Sequence, residues 1–89
     1  MSARDYLARN LAPKAAFDLQ CPESQLQFVN MGPVWRDRVW WDGSKEVSVD
    51  NISDQQGVTG CEKRARYVFA AGGWVLNGAI QPSEAKLEK

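Results

Sequence analysis

The first twenty residues carry apolar side chains at the spacing of a helix. These side chains recur every four residues and lie on one helical face: Leu7, Leu11 and Ala15. Ser2, followed by Asp5 three residues later, resembles the capping box of a helix start. Pro13 interrupts the pattern because it lacks a backbone N–H and clashes with the preceding turn. We therefore expect either a kink at Pro13 or a second helix that contains Pro13 in its first turn.

Beyond residue 25 the apolar side chains alternate with polar ones, which is the period of a β-strand. This alternation predicts strands over residues 25–30, 34–41, 45–49, 57–69 and 74–76. Two glycine-containing pairs predict hairpin turns: Asp42–Gly43 and Gly72–Gly73. Gly60 predicts either a bulge or close backbone packing inside the longest strand, and we expect a polar loop over residues 50–56. Because no crossover helix separates the strands, we expect antiparallel pairing.

The whole pattern predicts an α+β fold, with an N-terminal helix packed on a four- to five-stranded antiparallel meander sheet. A sheet with one apolar face needs a cover, and the helix is the only element that can provide it. The 89 residues suffice for one domain, which we place at residues 1–80, followed by a polar C-terminal tail at residues 81–89. The pattern leaves open which face of the sheet the helix covers.

Charge balance and missing residue types argue against several function classes. The 11 basic and 11 acidic residues cancel, so the chain has no global field that would attract nucleic acid or an anionic membrane. Histidine, the commonest general base and metal ligand, is absent, and the acidic residues do not follow a calcium-loop pattern. We therefore predict no enzyme activity, no cofactor, no metal site and no nucleic-acid partner.

The apolar runs of the chain are too short for a membrane span. The N-terminal segment carries charges throughout, unlike a signal peptide. We expect either a cytoplasmic protein or a cell-envelope protein whose signal was removed upstream.

The two cysteines, Cys21 and Cys61, leave two interpretations open. Free cysteine is among the most buried residue types and often fills a core. Alternatively, the two residues form a disulfide, and closing a loop of about 40 residues contributes roughly 4 kcal/mol to stability. A catalytic redox pair is disfavoured because the chain has no C-x-x-C spacing.

The segments around the two cysteines resemble a group of bacterial proteins. Residues 15–22 read AAFDLQCP and residues 57–69 read GVTGCEKRARYVF. Together they resemble small uncharacterised proteins, many of them exported or lipid-anchored, that combine FDL-x-CP with G-x-x-GCG-x-x-A-x-Y. The resemblance implies a Cys21–Cys61 disulfide across a helix–sheet core and brings no known activity. This chain departs from the pattern at Glu62, where the group usually has glycine, and at Phe69, where a further cysteine is common.

Four tryptophans are an unusual number for 89 residues: Trp35, Trp40, Trp41 and Trp74. Trp40 and Trp41 are adjacent, so on a strand one joins the core and the other lies on the opposite face. An exposed indole is typical of protein-binding hot spots and sugar-stacking surfaces. Alternatively, the tryptophans pack across strands on a half-covered sheet. Arg36 and Arg38 follow Trp35 closely and are candidates for cation–π stacking.

These features predict a small non-catalytic interaction module that binds a protein partner or forms a homodimer. Its predicted binding residues are Trp35, Arg36, Arg38 and Trp40. The alternative is a disulfide-stabilised cell-envelope domain, either structural or weakly carbohydrate-binding. A third hypothesis, nucleic-acid binding, rests on four arginines: Arg36, Arg38, Arg64 and Arg66. Against this third hypothesis, we expect Tyr67 and Phe69 to face the core while Arg64 and Arg66 are solvated.

Overall fold

The structure is a computed structural model that describes residues 1–42, 45–70 and 72–82. Two short helices precede a set of strands, which confirms the predicted α+β class. The elements are α1 (Ala3–Asn10), α2 (Ala12–Leu19), a single 3-10 turn (Glu23–Gln25), β1 (Gln27–Asn30), β2 (Val34–Trp35), β3 (Arg38–Asp42), β4 (Lys45–Val49), β5 (Ile52–Ser53), β6 (Gln55–Gly60), β7 (Lys63–Ala70), β8 (Gly73–Leu76) and β9 (Gln81–Pro82). Within the described ranges, no helix is long and apolar enough to cross a membrane.

The helical segment is interrupted where the sequence predicts it. The Ser2 hydroxyl accepts a hydrogen bond from the Asp5 backbone N–H at 3.1 Å, so Ser2 caps the N-terminus of α1. Leu11 ends α1 and immediately precedes α2. Pro13 lies in the first turn of α2, which confirms the second of the two alternatives expected at this proline. Gln20 ends α2 in a left-handed conformation with a φ of 53°.

The main sheet has the strand order β1-β6-β7-β8, and β9 also pairs with β7 beside β8. Strands β6, β7 and β8 form a meander of antiparallel hairpins, of which the sequence predicts the hairpin between β7 and β8. The prediction of one long strand over residues 57–69 is wrong, because the chain reverses at Cys61 and Glu62. Both residues have positive φ values, 51° and 65°, and Gly60 pairs directly with Lys63. Gly60 therefore ends a strand next to a two-residue turn. Of the two alternatives expected at Gly60, the bulge is wrong and close backbone packing is confirmed.

The segment between β1 and β6 forms two small strand pairs outside the main sheet. Strand β3 pairs with β4 and strand β2 pairs with β5. The predicted strand over residues 34–41 is broken at Asp37, whose φ is 52°. The predicted loop over residues 50–56 instead contains β5 and the start of β6. The β3–β4 hairpin is confirmed by its pairing, whereas Gly43 of its predicted turn, Asp42–Gly43, lies outside the described residues.

Part of the predicted C-terminal tail belongs to the main sheet. Its first two residues, Gln81 and Pro82, pair with Arg64 and Lys63 of β7 and extend the sheet. The rest of the predicted tail, residues 83–89, lies outside the described residues.

The two helices cover one face of the main sheet and leave the other face open. The covered face carries Val58, Ala65 and Tyr67, which belong to the core. The core as a whole contains Tyr6, Leu7, Leu11, Ala15, Leu19, Cys21, Trp40, Val49, Ile52, Val58, Ala65, Tyr67 and Trp74. Because side chains alternate along a strand, Arg64 and Arg66 belong to the opposite face of the sheet. The structure thereby decides which sheet face the helices cover.

Three links fasten α2 to the β6–β7 hairpin. Cys21 and Cys61 form a disulfide, with Cα atoms 5.7 Å apart, which closes a sequence separation of 40. The Lys63 ammonium group donates a hydrogen bond to the Leu19 carbonyl at 3.0 Å, where it also complements the C-terminal end of the helix dipole. The Tyr67 hydroxyl donates to a carboxylate oxygen of Asp18 at 2.8 Å. One disulfide and two side-chain hydrogen bonds thus hold the C-terminal end of α2 against the β6–β7 hairpin.

Gly60 is required by the close approach of the chain around the disulfide. A Cβ atom at this position would lie 2.8 Å from Cδ2 of Leu26 and 3.0 Å from Sγ of Cys21. The absence of a side chain therefore lets the β6–β7 hairpin approach the disulfide and the segment after α2.

Candidate interaction surface

Trp40 lies in an aromatic cluster rather than on the surface. Its ring centroid is 5.7 Å from that of Trp74, with the planes nearly parallel at 3°, and 4.4 Å from that of Phe69 in an edge arrangement. Tyr6 of α1 adds a third neighbour at 5.9 Å. Trp40 is only 2% exposed, so its predicted place among surface contact residues is wrong. The reason is the strand alternation of β3, which directs Trp40 towards α1 and the main sheet.

The adjacent residue Trp41 points the other way, as the sequence predicts for neighbours on a strand. Trp41 is 48% exposed and Val39, two residues earlier on the same face, is 59% exposed. Trp35 is the second half-exposed indole at 46%, whereas Trp74 is buried. The exposed tryptophans are therefore Trp35 and Trp41, on two different strand pairs.

Trp35 is held in place by a stacked arginine. The central guanidinium carbon of Arg38 lies 4.7 Å from the ring centroid of Trp35 and 4.8 Å from that of Trp40. Both distances are within the range of cation–π attraction, which confirms the predicted stacking for Arg38. The guanidinium thus connects a half-exposed indole to a buried one. We call Trp35 and Arg38 the Trp35 surface.

Asp54 completes the charge environment of Arg38. Its Oδ2 atom lies 3.8 Å from Nη1 of Arg38, and the two side chains are 34% and 38% exposed. The Asp54 carbonyl accepts a hydrogen bond from the Phe69 N–H at 2.8 Å, which fixes this residue against β7. An ion pair this exposed, at a distance beyond that of a hydrogen bond, contributes little stability.

The local backbone explains why Trp35 and Arg38 meet. Strand β2 pairs with β5, which places Trp35 opposite the fully buried Ile52. The left-handed residue Asp37 then redirects the chain before β3 begins at Arg38. Arg36 is exposed and makes no ion pair or ring contact with any residue of the described ranges. Of the four predicted binding residues, the structure therefore brings three together and leaves Arg36 apart.

The hairpin of β3 and β4, which contains Arg38 and Trp40, contacts α1 through polar groups. The carboxylate of Asp42, which is 6% exposed, accepts a hydrogen bond from the Asn10 amide at 3.1 Å and lies 3.1 Å from an Arg9 nitrogen. The Tyr6 hydroxyl donates to the Trp41 carbonyl at 3.0 Å. Burial of this phenol raises the pKa of Tyr6. These contacts position β3, and with it Arg38 and Trp40.

Among the exposed apolar side chains of β2 and β3, sequence reasoning missed Val34 and Val39 and did not decide between Trp40 and Trp41. The available signal was the alternation itself, because burial of Trp40 requires Val39 and Trp41 to face outward. The basic stretch of β7 follows its expectation, since Tyr67 is fully buried and Arg66 is exposed on the other face. The aromatic side chains of β7 therefore give no base-stacking surface of the kind that RNA-binding sheets use.

Metal-binding chemistry finds no support in the described part of the chain, where no three His, Cys, Asp or Glu side chains come close enough to hold an ion. In comparisons with known proteins, no family model, no curated protein and no solved structure matches this chain. The resemblance of residues 15–69 to small exported or lipid-anchored bacterial proteins therefore stays a prediction.

Proposed function

We propose that the chain is a small non-catalytic interaction module that binds a protein partner through the Trp35 surface. The observation that carries this proposal is the stacking of the half-exposed Trp35 on Arg38, which in turn stacks on the buried Trp40. Tryptophan and arginine are the residue types most enriched at the energetic centres of protein interfaces.

The rigidity of the Trp35 surface favours binding, because its side chains lose little conformational entropy when a partner binds. Ordering a flexible side chain at an interface costs about 0.5–1.5 kcal/mol, and Arg38 is already held by two rings and by Asp54. The exposed edge of Trp35 offers apolar contact area beside the charge of Arg38. A partner with an apolar pocket next to a carboxylate would complement both features.

Fluorescence quenching tests the exposure that the proposal needs. Iodide or acrylamide should quench Trp35 and Trp41 and spare Trp40 and Trp74, so Trp35→Phe should remove about half of the quenchable emission. If all four indoles of the folded wild-type protein were shielded, the proposed surface would not exist.

Affinity capture with matched baits tests the function. Wild-type protein and Trp41→Ala should retain the same partner, whereas Trp35→Ala should weaken its binding by about 30-fold, the loss typical of a hot spot. Arg38→Lys keeps the charge but removes the planar stacking, so it should also weaken binding. A partner that binds wild type and Trp35→Ala equally well would refute the proposal, and sedimentation of the pure protein distinguishes a homodimer from a foreign partner.

The alternative function is that of a disulfide-stabilised cell-envelope domain, either structural or weakly carbohydrate-binding. The observation that favours it is the Cys21–Cys61 disulfide, because disulfides persist mainly in oxidising compartments. In this case Trp35 and Trp41 would stack on sugar rings. Cell fractionation of the native host and binding to cell-wall and glycan arrays test this alternative. A reduced protein in the cytosolic fraction, with no glycan bound, would count against it.

A further inference from the structure

The face of the main sheet that the helices leave uncovered contains a groove of about 440 Å³. Volumes of about 300–1,000 Å³ are typical of sites for small organic ligands. The groove lies over β1, β6 and β7 and is closed on one side by the segment that follows β8. Its main side chains are Val29, Met31, Thr59, Arg64, Arg66 and Asn77.

The depth of the groove comes from a glycine in the middle of the sheet. Gly57 pairs with Val29 on one side and with Arg66 on the other, so three strands meet across this position. A Cβ atom at Gly57 would lie 3.0 Å from Sδ of Met31. Val29 and Met31 are 56% and 43% exposed, and they form an apolar wall beside the glycine floor.

The opposite wall of the groove is positively charged. Arg64 and Arg66 are neighbours on the same face of β7, and none of the described residues that line the groove is acidic. An Nη atom of Arg64 donates to Oε1 of Gln81 at 3.2 Å, which orients its guanidinium along β9. The Asn77 N–H donates to the Arg66 carbonyl at 2.8 Å and fixes the segment after β8 against this strand. The described lining of the groove thus contains two arginines on a chain whose net charge is zero.

We propose that this groove binds a small organic anion, with a phosphate or carboxylate group on a short apolar body. Arg66 presents a planar donor group that matches either oxyanion, Arg64 lies beside it on the same strand face, and the Thr59 hydroxyl and Asn77 amide add neutral hydrogen-bonding groups. Val29 and Met31 contact the apolar body. A nucleic acid fits less well, because Tyr67 and Phe69 belong to the covered face and do not stack on bases from this side.

A titration followed by amide NMR shifts tests the ligand class, with four probes: hexyl phosphate, hexanoate, hexan-1-ol and inorganic phosphate. At least one of the two amphiphilic anions should shift the amide signals of Thr59, Arg66 and Asn77 saturably. The stronger of the two identifies phosphate or carboxylate as the recognised group. Hexan-1-ol and inorganic phosphate should each bind at least about tenfold more weakly, because each lacks one of the two contacts. Equal binding of hexan-1-ol, or shifts spread over other surfaces, would overturn the proposal.

Substitutions at the charged wall and at the floor complete the test. Arg66→Gln should weaken binding of the better anion about tenfold, and Arg66→Lys should fall between it and wild type. Gly57→Val should fill the floor and reduce the contribution of the hexyl chain. Arg36→Gln, which removes an exposed arginine outside the groove, is the matched control and should bind as wild type does. Unchanged affinity in Arg66→Gln would refute the site without affecting the Trp35 surface, which shares no residue with the groove.

Discussion

At the scale of single residues, left-handed backbone positions explain where the strands predicted from the sequence differ from those in the structure. Non-glycine residues with positive φ in the described chain are Gln20, Asp37, Asn51, Cys61 and Glu62. Such a conformation costs about 1–2 kcal/mol, and sequence patterns predict it mainly at glycine and asparagine. Here the chain breaks a predicted strand at Asp37 and reverses at Cys61 and Glu62.

The left-handed residue at the end of α2 leads to a stability prediction. Gln20 is exposed and has φ and ψ angles of 53° and 54°, a conformation that glycine adopts without steric cost. Gln20→Gly should therefore raise the free energy of unfolding by about 0.5–1 kcal/mol, measured by urea denaturation. Gln20→Ala retains the Cβ atom and should give no gain. A glycine variant less stable than wild type would contradict the assigned helix end.

Tyr67 should make the stability of the fold decrease with rising pH in the alkaline range. Burial, together with the hydrogen bond to the Asp18 carboxylate, raises the pKa of Tyr67 well above its usual value. Above about pH 10 the unfolded chain loses this proton while the folded protein keeps it, so rising pH favours unfolding. The stabilisation that comes from the raised pKa of Tyr67 is fully present below about pH 10. Above that pH it falls by up to about 1.4 kcal/mol per pH unit, which is a tenfold change in the unfolding equilibrium constant.

Tyr67→Phe isolates this effect. At pH 7 the variant should be about 2 kcal/mol less stable, because it lacks the hydrogen bond to a charged group. Between about pH 10 and 11 the difference from wild type should shrink, since only the wild-type protein has this group to titrate. Urea denaturation at each pH measures the difference, and Tyr6 and the lysines are present in both proteins. A gap that stays constant or widens with pH would contradict the raised pKa.

At the scale of elements, the hairpin of β3 and β4 depends on α1 for its position. It pairs with no strand of the main sheet, and its contacts to α1 centre on Asp42. The N-terminal ammonium group also donates to the Ser48 carbonyl at 2.9 Å, beside the outer edge of β4. The alternating pattern could predict the hairpin and its register. It could not predict the separation from the main sheet, because a period of two is the same for a strand in either sheet.

The same limit applies to the Trp35 surface. Neighbouring residue types predict the stacking of Arg38 on Trp35, and the structure confirms it. Which indole of the pair Trp40 and Trp41 is buried depends on where α1 packs, and that contact joins residues about 35 positions apart, as the Tyr6–Trp41 hydrogen bond shows. A local sequence pattern does not contain this long-range contact. The sequence could therefore predict that one of the two tryptophans is buried, but not which one.

Asp42→Asn should loosen the hairpin and spare the main sheet. The substitution keeps the shape and the contact with Asn10 but removes the attraction to Arg9, which is worth about 1 kcal/mol for a pair with one exposed partner. Hydrogen exchange of the β3 and β4 amides should accelerate about fivefold, while the amides of β6 and β7 stay unchanged. Glu46→Gln makes the same charge change on the exposed face of the hairpin and serves as control. Acceleration throughout the protein would show that the hairpin does not open as a separate unit.

At the scale of the whole molecule, one covalent bond connects the helical layer to the sheet. An 89-residue domain buries a modest core, and two of its strand pairs lie outside the main sheet. The disulfide fixes the end of α2 to the turn between β6 and β7, the two strands at the centre of that sheet. Stability of the assembled fold should therefore depend on this bond more than on any single side-chain contact.

Replacing both cysteines by alanine removes that link without leaving a free thiol. The Cys21→Ala/Cys61→Ala variant should lose about 4 kcal/mol of stability, because its unfolded chain regains the freedom of a 40-residue loop. For a domain of this size the loss corresponds to a melting temperature lower by about 15–30 °C. Wild-type protein treated with reductant should approach the variant, and the variant itself should not respond to reductant. If reduced and alkylated wild-type protein melted at the temperature of the oxidised form, the helices and sheet would have to be held together by their packing alone.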